Sequence, residues 1–246
     1  MLLENRIALV TGAGSGIGQA VAMAYAEQGA TVLLLGKTQE KLEKSYDIIT
    51  EAGGTASIVP LDLEQGLANV PELVKQTHGR YGKLDILVNN AGLLGTLTPM
   101  ANYNPIEWEQ LFRVNVTAPF FLTRELMPLL AQSDQASVIN VSSSVGHQGR
   151  AFWGAYAASK AALVNLTETW AQEMEKSVVR MNTVNPSGTA TAMRAKAFPG
   201  ENPDTLPKPA DIVPVFLYLA SQYGREVNGQ HLQARDWMDW TPEAQN

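Results

Sequence analysis

Val10-Thr11-Gly12-Ala13-Gly14-Ser15-Gly16-Ile17-Gly18 joins a short apolar run, 7–10, to an amphipathic stretch at 17–28. Glycines at 12, 14, 16 and 18 let the backbone turn sharply and come close to a bulky anion. A helix that starts directly behind them leaves unpaired N–H groups and a partial positive charge facing the turn. Together these features suit the pyrophosphate of a dinucleotide. The spacing from Gly12 is GxxxGxG with an additional Gly14, not GxGxxG. A glycine turn alone can also simply tighten a strand–helix connection, so its meaning depends on the flanking pattern.

Outward from the turn, short β-branched or apolar runs alternate with longer amphipathic stretches. The runs fall at 7–10, 31–35, 56–60, 84–88, 138–141, 178–184 and, less clearly, 230–233; helical patterns lie at 17–28, 39–52, 67–80, 105–131, 153–176 and 210–221. Continuous apolar strands separated by helices predict a sheet covered on both faces. Right-handed crossovers then make it a doubly wound α/β Rossmann fold with a mostly parallel sheet of about seven strands. One domain over 1–246 accommodates it. Four prolines, at 199, 203, 207 and 209, argue against a regular helix in 198–209, and the wider segment 187–209 is either a substrate lid or a surface connection.

Composition narrows the function classes. Of 246 residues, 45% are apolar and 17% charged, ordinary for a globular chain. A net charge of −6 without a basic cluster gives nucleic-acid binding no support. There are no cysteines, and His78, His147 and His231 lack metal-ligand spacing, so no metal is expected. No apolar run approaches the roughly 20 residues of a membrane helix. Met1-Leu-Leu-Glu-Asn-Arg6 leads into a strand and does not read as a signal peptide. The expectation is a cytoplasmic enzyme, with an acidic binding module as the alternative.

Chemistry concentrates between 142 and 160. Tyr156 and Lys160 are four apart in a helical pattern and so share one face. A free tyrosine titrates near roughly 10 and is a poor base at neutral pH; a neighbouring ammonium lowers that value. The pair reads as a tunable acid–base group. Ser142, Ser143 and Ser144 follow the fifth run, where a hydroxyl can orient a substrate oxygen. Val145, His147, Arg150 and Trp153 lie between Ser143 and Tyr156, and Leu93, Leu94, Met193 and Phe198 lie in loops after strands. Ligands of open α/β sheets bind outside the strands' carboxyl ends. An apolar or aromatic substrate pocket is expected there, with Arg150 or His147 able to meet an acidic group.

The motifs recur in one order: Thr11-Gly-x-x-x-Gly16-Ile17-Gly18, then Asp62, Asn89-Asn90-Ala91-Gly92, Asn115, Ser143, Tyr156-Ala-Ala-Ser-Lys160 and Pro186. This order resembles the short-chain dehydrogenase/reductase family, in its shorter single-domain subclass. The resemblance implies a nicotinamide-dependent oxidoreductase acting on a carbonyl or alcohol. It implies Tyr156 as the proton-exchanging residue, Lys160 also holding the nicotinamide ribose, and Ser143, thirteen residues before Tyr156, as the orienting hydroxyl. Asn115 would support a proton relay. Gly12, Ser15, Gly16, Ile17 and Gly18 would cradle the pyrophosphate. Asp62 and Leu63 would contact adenine, and Asn89, Ala91 and Gly92 would lie partly beside the adenosine ribose and partly in the sheet. Pro186, Thr189 and Thr191 belong to a stretch similar to the family's carboxamide and pyrophosphate segment. There the usual Pro-Gly is Pro186-Ser187, so Ser187 must take the glycine's conformation unless Gly188 absorbs the turn.

The second run ends Leu35-Gly36-Lys37-Thr38, without the acid that NAD-preferring relatives place at that turn. Lys37 offers a cation where a 2′-phosphate would lie, while Ser15 is neutral where many NADP-binding relatives are basic. NADP(H) is favoured, with NAD(H) as the alternative. The resemblance also implies a homodimer or homotetramer through the helices at 105–131 and 153–176, which carry Phe112, Phe120, Phe121, Leu163, Leu166 and Trp170. Trp237 and Trp240 near the C-terminus are expected to pack on a neighbouring subunit or over the active site. A dinucleotide-binding sensor or scaffold without catalysis is the rival reading; turnover of the cofactor with a carbonyl separates the two.

Overall fold

The computed structural model describes residues 1–242. The chain alternates strands and helices as the pattern predicts: β1 (Ile7–Thr11), α1 (Gly16–Glu27), β2 (Thr31–Gly36), α2 (Gln39–Glu51), β3 (Thr55–Pro60), α3 (Val70–Tyr81) and β4 (Ile86–Asn89). There follow α4 (Pro105–Phe112), α5 (Ala118–Leu130), β5 (Ala136–Val141), α6 (Gly154–Glu173), β6 (Val179–Asn185), α7 (Ala192–Ala197), α8 (Pro214–Ala220) and β7 (His231–Gln233). The seven strands form one sheet in the order β3-β2-β1-β4-β5-β6-β7, and every pairing is parallel. This is the doubly wound Rossmann arrangement, and its order reverses between β1 and β4.

Strand side chains alternate between two cores. Ala8, Val10, Val32, Leu34, Ile86 and Val88 face a core completed by α1, α2 and α8, including Tyr25 and Phe216. Leu9, Leu33, Leu35 and Leu87 face the opposite core, closed by α3 and α5 through Leu73, Leu122 and Leu126. Among the described residues no helix is long and apolar enough to cross a membrane.

The structure departs from the expected pattern in one place and adds to it in two. The stretch 105–131 is not one α-helix: Arg113–Thr117 forms a π turn between α4 and α5. Pro119 explains it, because it has no N–H for the carbonyl of Asn115 and its ring crowds that oxygen. Ahead of the proline-rich stretch 198–209, which holds no α-helix, lies α7, not expected from the pattern; its N-terminus is capped by the Thr191 hydroxyl accepting from Arg194 N at 3.2 Å. Trp237 and Trp240 find aromatic partners within their own chain. They pack on the chain's own Tyr218 at 4.2 and 5.5 Å, and Trp240 also on Tyr223 at 5.8 Å.

Candidate active site

The carboxyl ends of β1 to β4 open on a cavity of about 240 Å³. Gly12, Ser15, Lys37, Asp62, Leu63, Ala91 and Gly92, all candidate cofactor residues from the sequence, line it. Its glycines preserve space. A Cβ on Gly18 would collide with the Gly12 carbonyl oxygen, and one on Gly12 would stand 2.9 Å from Asn90 Nδ2. Gly12 (φ 67°) and Gly16 (φ 58°) also occupy the left-handed region. Ser15 precedes α1 with its hydroxyl making no capping bond. The first ladder bond runs from Gln19 N to Ser15 O, so the N–H groups of Gly16, Ile17 and Gly18 have no acceptor within the helix. The Thr191 methyl lies 3.5 Å from where a Gly16 Cβ would stand. Unpaired donors around emptied space suit a dinucleotide's pyrophosphate.

Beyond Gly92 lie the two residues of the acid–base pair. Lys160 Nζ is 5.7 Å from the centre of the Tyr156 ring. Both residues are buried, at 3% and 9% exposure. Lys160 donates to the Val141 carbonyl at 2.8 Å. Burial pulls its ammonium down to about 8. Burial also pushes the Tyr156 phenol up to about 12, against the opposing pull of the Ser143 hydroxyl. Burial thus raises the phenol above its ordinary value, and the Ser143 hydroxyl pulls in the other direction. A Cβ on Gly92 would lie 3.6 Å from Lys160 Nζ and 3.4 Å from Asn115 Oδ1. Glycine thus keeps open the approach to an ammonium that has donors left for hydroxyl oxygens.

Asn115 sits fully buried in the π turn. Its side chain accepts from Leu93 N at 2.8 Å and donates to Leu93 O at 2.9 Å and to Ser159 Oγ at 3.0 Å. The amide thereby clamps the loop after β4 to α6. Ser143 has extended backbone at the head of a short turn, Ser144–Gly146. Neighbouring Ser142 joins β6 through its N–H instead, 2.8 Å from Val184 O.

The mouth beside Tyr156 is aromatic. Val145 is buried with Tyr156, Leu94 and Leu111. The Trp153 ring lies 6.0 Å from Tyr156 and 5.6 Å from Phe198. Arg150 lies over Trp153 at 5.5 Å and over Phe198 at 5.1 Å. His147 leaves this group: its ring meets His231 at 5.0 Å, and His231 is held by Thr183 and Glu168. Phe198 belongs to a flap whose neck is closed by Ala190 N donating to Pro207 O at 2.9 Å. Within the flap Arg194 forks onto Glu201 at 2.6 and 2.7 Å and lies 3.8 Å over Phe198. At its root Ser187 takes φ 57°, the left-handed conformation asked of it, with its N–H on Asn185 Oδ1 at 2.9 Å. Thr189 turns its hydroxyl onto the Pro186 carbonyl at 2.9 Å.

Residues 6–202 match the short chain dehydrogenase family model. The chain belongs to the short-chain dehydrogenase/reductase family. It is an oxidoreductase of the kind that acts on CH–OH groups. It is 46% identical to the uncharacterized oxidoreductase YciK of Escherichia coli (strain K12), over 95% of this chain and 93% of that protein. A crystal structure of a short chain dehydrogenase from Shigella flexneri 2a str. 301 complexed with NADP superposes with a TM-score of 0.93 at 46% identity, covering 95% of this chain and 98% of that one. One from Escherichia coli CFT073 complexed with NADPH gives a TM-score of 0.93 at 45% identity, with the same coverage.

Within this short-chain dehydrogenase, sequence reasoning missed two residues. Of the segment expected partly in the sheet and partly beside the ribose, Asn89 belongs to the sheet, its amide donating to Asn140 Oδ1 at 2.8 Å. Asn90 reaches the glycine turn instead, donating to the Thr11 carbonyl at 2.9 Å. Lys41 also lines the cavity near Lys37. Its stem fills the space above Gly14, where a Cβ would stand 2.8 Å from Lys41 Cβ. Lys37 precedes the helix, so no helical spacing links the two; the available signal was a second lysine in the first turn of α2.

Proposed function

We propose that Tyr156 is the acid–base residue of an NADP(H)-dependent oxidoreductase that interconverts a carbonyl and an alcohol. The observation carrying this is the buried Tyr156–Lys160 pair beside Ser143, opening past Gly92 onto a glycine-floored cavity. Bound reduced nicotinamide would supply the hydride to the carbonyl carbon. Ser143 orients the carbonyl oxygen. Tyr156 gives its Oη proton to that oxygen, completing the alcohol. Lys160 stabilises the phenolate left behind and presents its free donors to ribose hydroxyls. Asn115 holds Leu93 so that the space beside Lys160 stays open.

Gly12, Ser15, Gly16, Ile17, Gly18 and Thr191 would hold the pyrophosphate, with Asp62 and Leu63 at the adenine. Ala91, Gly92 and Pro186 would line the path between. Lys37 and Lys41 would meet a 2′-phosphate, in keeping with the NADP and NADPH bound by the two similar structures. The flap at 187–209 would act as the lid of a single domain.

A panel of ketones, aldehydes and secondary alcohols assayed with both cofactors tests the reading. Reduction with NADPH preferred over NADH is expected; cofactor binding without turnover of any member would instead favour a silent sensor. The same reading carries a homodimer or homotetramer through α5 and α6, supported by the half-exposed Phe120 stacked on Trp170 at 5.5 Å. Light scattering should find a species larger than 26.6 kDa at micromolar concentration.

A further inference from the structure

We infer that the substrate carries an anionic oxygen group, a carboxylate or a phosphate, on a flat apolar body, and that Arg150 receives it. This rests on reading Tyr156 as the residue that meets the carbonyl oxygen, and it adds the other end of the molecule.

The mouth supplies both features. Trp153 and Phe198 form an aromatic wall that begins beside Tyr156 and ends under the Arg150 guanidinium. The neighbouring cations are occupied. Arg194 forks onto Glu201, and Arg235 donates to the Gly188 carbonyl at 2.6 Å. His147 has turned to His231. Among the three arginines Arg150 alone makes no hydrogen bond or ion pair among the described residues; the two ring faces hold it. Stacking on rings engages a guanidinium's flat face and leaves its N–H edge free, and that planar fork matches two oxygens of a carboxylate or phosphate. In a chain of net charge −6, an unneutralised arginine fixed at the mouth selects an anion from solution.

Trp153 neighbours both residues, its ring 6.0 Å from that of Tyr156 and 5.5 Å from the Arg150 guanidinium. A planar apolar body lying on Trp153 fits a substrate that meets both.

The test uses the NADP⁺-saturated protein and three probes: 4-acetylbenzoate, its methyl ester, and 4-acetylphenyl phosphate. Dissociation constants come from calorimetry, so no turnover is needed. At least one anion should bind roughly 10- to 100-fold tighter than the neutral ester, the range for a charge-assisted fork. Which anion wins separates the carboxylate source from the phosphate source. Arg150→Met should bring the anion-to-ester ratio close to one. Arg150→Lys, which keeps a charge without the fork, should restore part of it. Equal affinity of anions and ester in the wild type, an unchanged ratio in Arg150→Met, or no binding by any probe would overturn the inference. A wild type that prefers the anion yet reduces none of the probes in a separate assay with NADPH would break the Tyr156 reading and leave the Arg150 assignment standing.

Discussion

Two clusters at opposite ends of the sheet treat buried charge in opposite ways. At the amino end, the fully buried Asp85 carboxylate accepts from Ile7 N at 2.8 Å, Ser133 Oγ at 2.6 Å, Lys83 at 3.0 Å and Arg6 at 3.2 Å. Arg6 reaches further, to Asp134 at 2.7 Å. At the carboxyl end, buried Lys160 has one carbonyl acceptor and Tyr156 is driven far from its ordinary range. Folding alone favours the first arrangement, because an unmet buried polar group is costly. The second persists where ligand atoms complete the pairing, which is the end at which open α/β sheets bind.

Exchanging one residue at each end tests this contrast most severely. Tyr156→Phe should lower turnover at least ~100-fold while melting temperature and cofactor binding hold. Asp85→Asn should do the reverse. It should cost about 3 kcal/mol of unfolding free energy in urea titrations, because the donors lose a matched buried carboxylate, with kcat per folded molecule retained. Near-normal turnover in the first variant, or unchanged stability in the second, would erase the distinction. The carboxyl end should also show its pH signature. Carbonyl reduction needs the protonated phenol and the Lys160 ammonium. It should hold level at neutral pH and fall as Lys160 deprotonates above about 8. Alcohol oxidation needs the phenolate and should climb with pH throughout, since burial holds Tyr156 at about 12.

The ends also differed in how legible they were. Ser143, Tyr156 and Lys160 were singled out by their spacing, and the structure brings them together; the glycine turn stood out because it needs absent side chains. The alternation of apolar runs was enough for a parallel sheet. The Asp85 cluster gave no such signal: its members come from positions 6, 83, 85 and 133, which only the strand register brings together. The π turn escaped because hydrophobic periodicity continues through it; Pro119 was the clue, visible only when its missing N–H is charged to Asn115. Helix α7 was hidden by the prolines that follow it. The intrachain partners of Trp237 and Trp240, Tyr218 and Tyr223, could not be read because they lie on the preceding helix and turn. Asn89 and Asn90 are adjacent, so strand alternation alone decides which amide enters the sheet and which faces the glycine turn.

The smallest expected effect lies at the adenosine edge of the carboxyl end, where the charges are exposed rather than buried. The sequence reading found one cation there, Lys37, and judged Ser15 a missing second. The cavity has two, because Lys41 comes from the first turn of α2 and rests its stem over Gly14. Lysines are hydrated point charges without a fork, so neither alone grips a phosphate strongly. Each should contribute roughly 3- to 10-fold to the preference for NADP(H) over NAD(H). Added salt should shrink the preference, since the screening length is about 8 Å at physiological ionic strength. Lys41→Ala should weaken NADP(H) while leaving NAD(H) nearly unchanged, because the lost attraction is to the 2′-phosphate alone. Lys37→Asp should reverse the preference, adding an acceptor for the ribose 2′-hydroxyl and a repulsion for the phosphate. Dissociation constants for both cofactors at two salt concentrations decide it. If Lys41→Ala shifts both cofactors equally, Lys41 supports the glycine turn and does not read the phosphate; if Lys37→Asp leaves the ratio unchanged, the selecting charge lies elsewhere on the cavity rim.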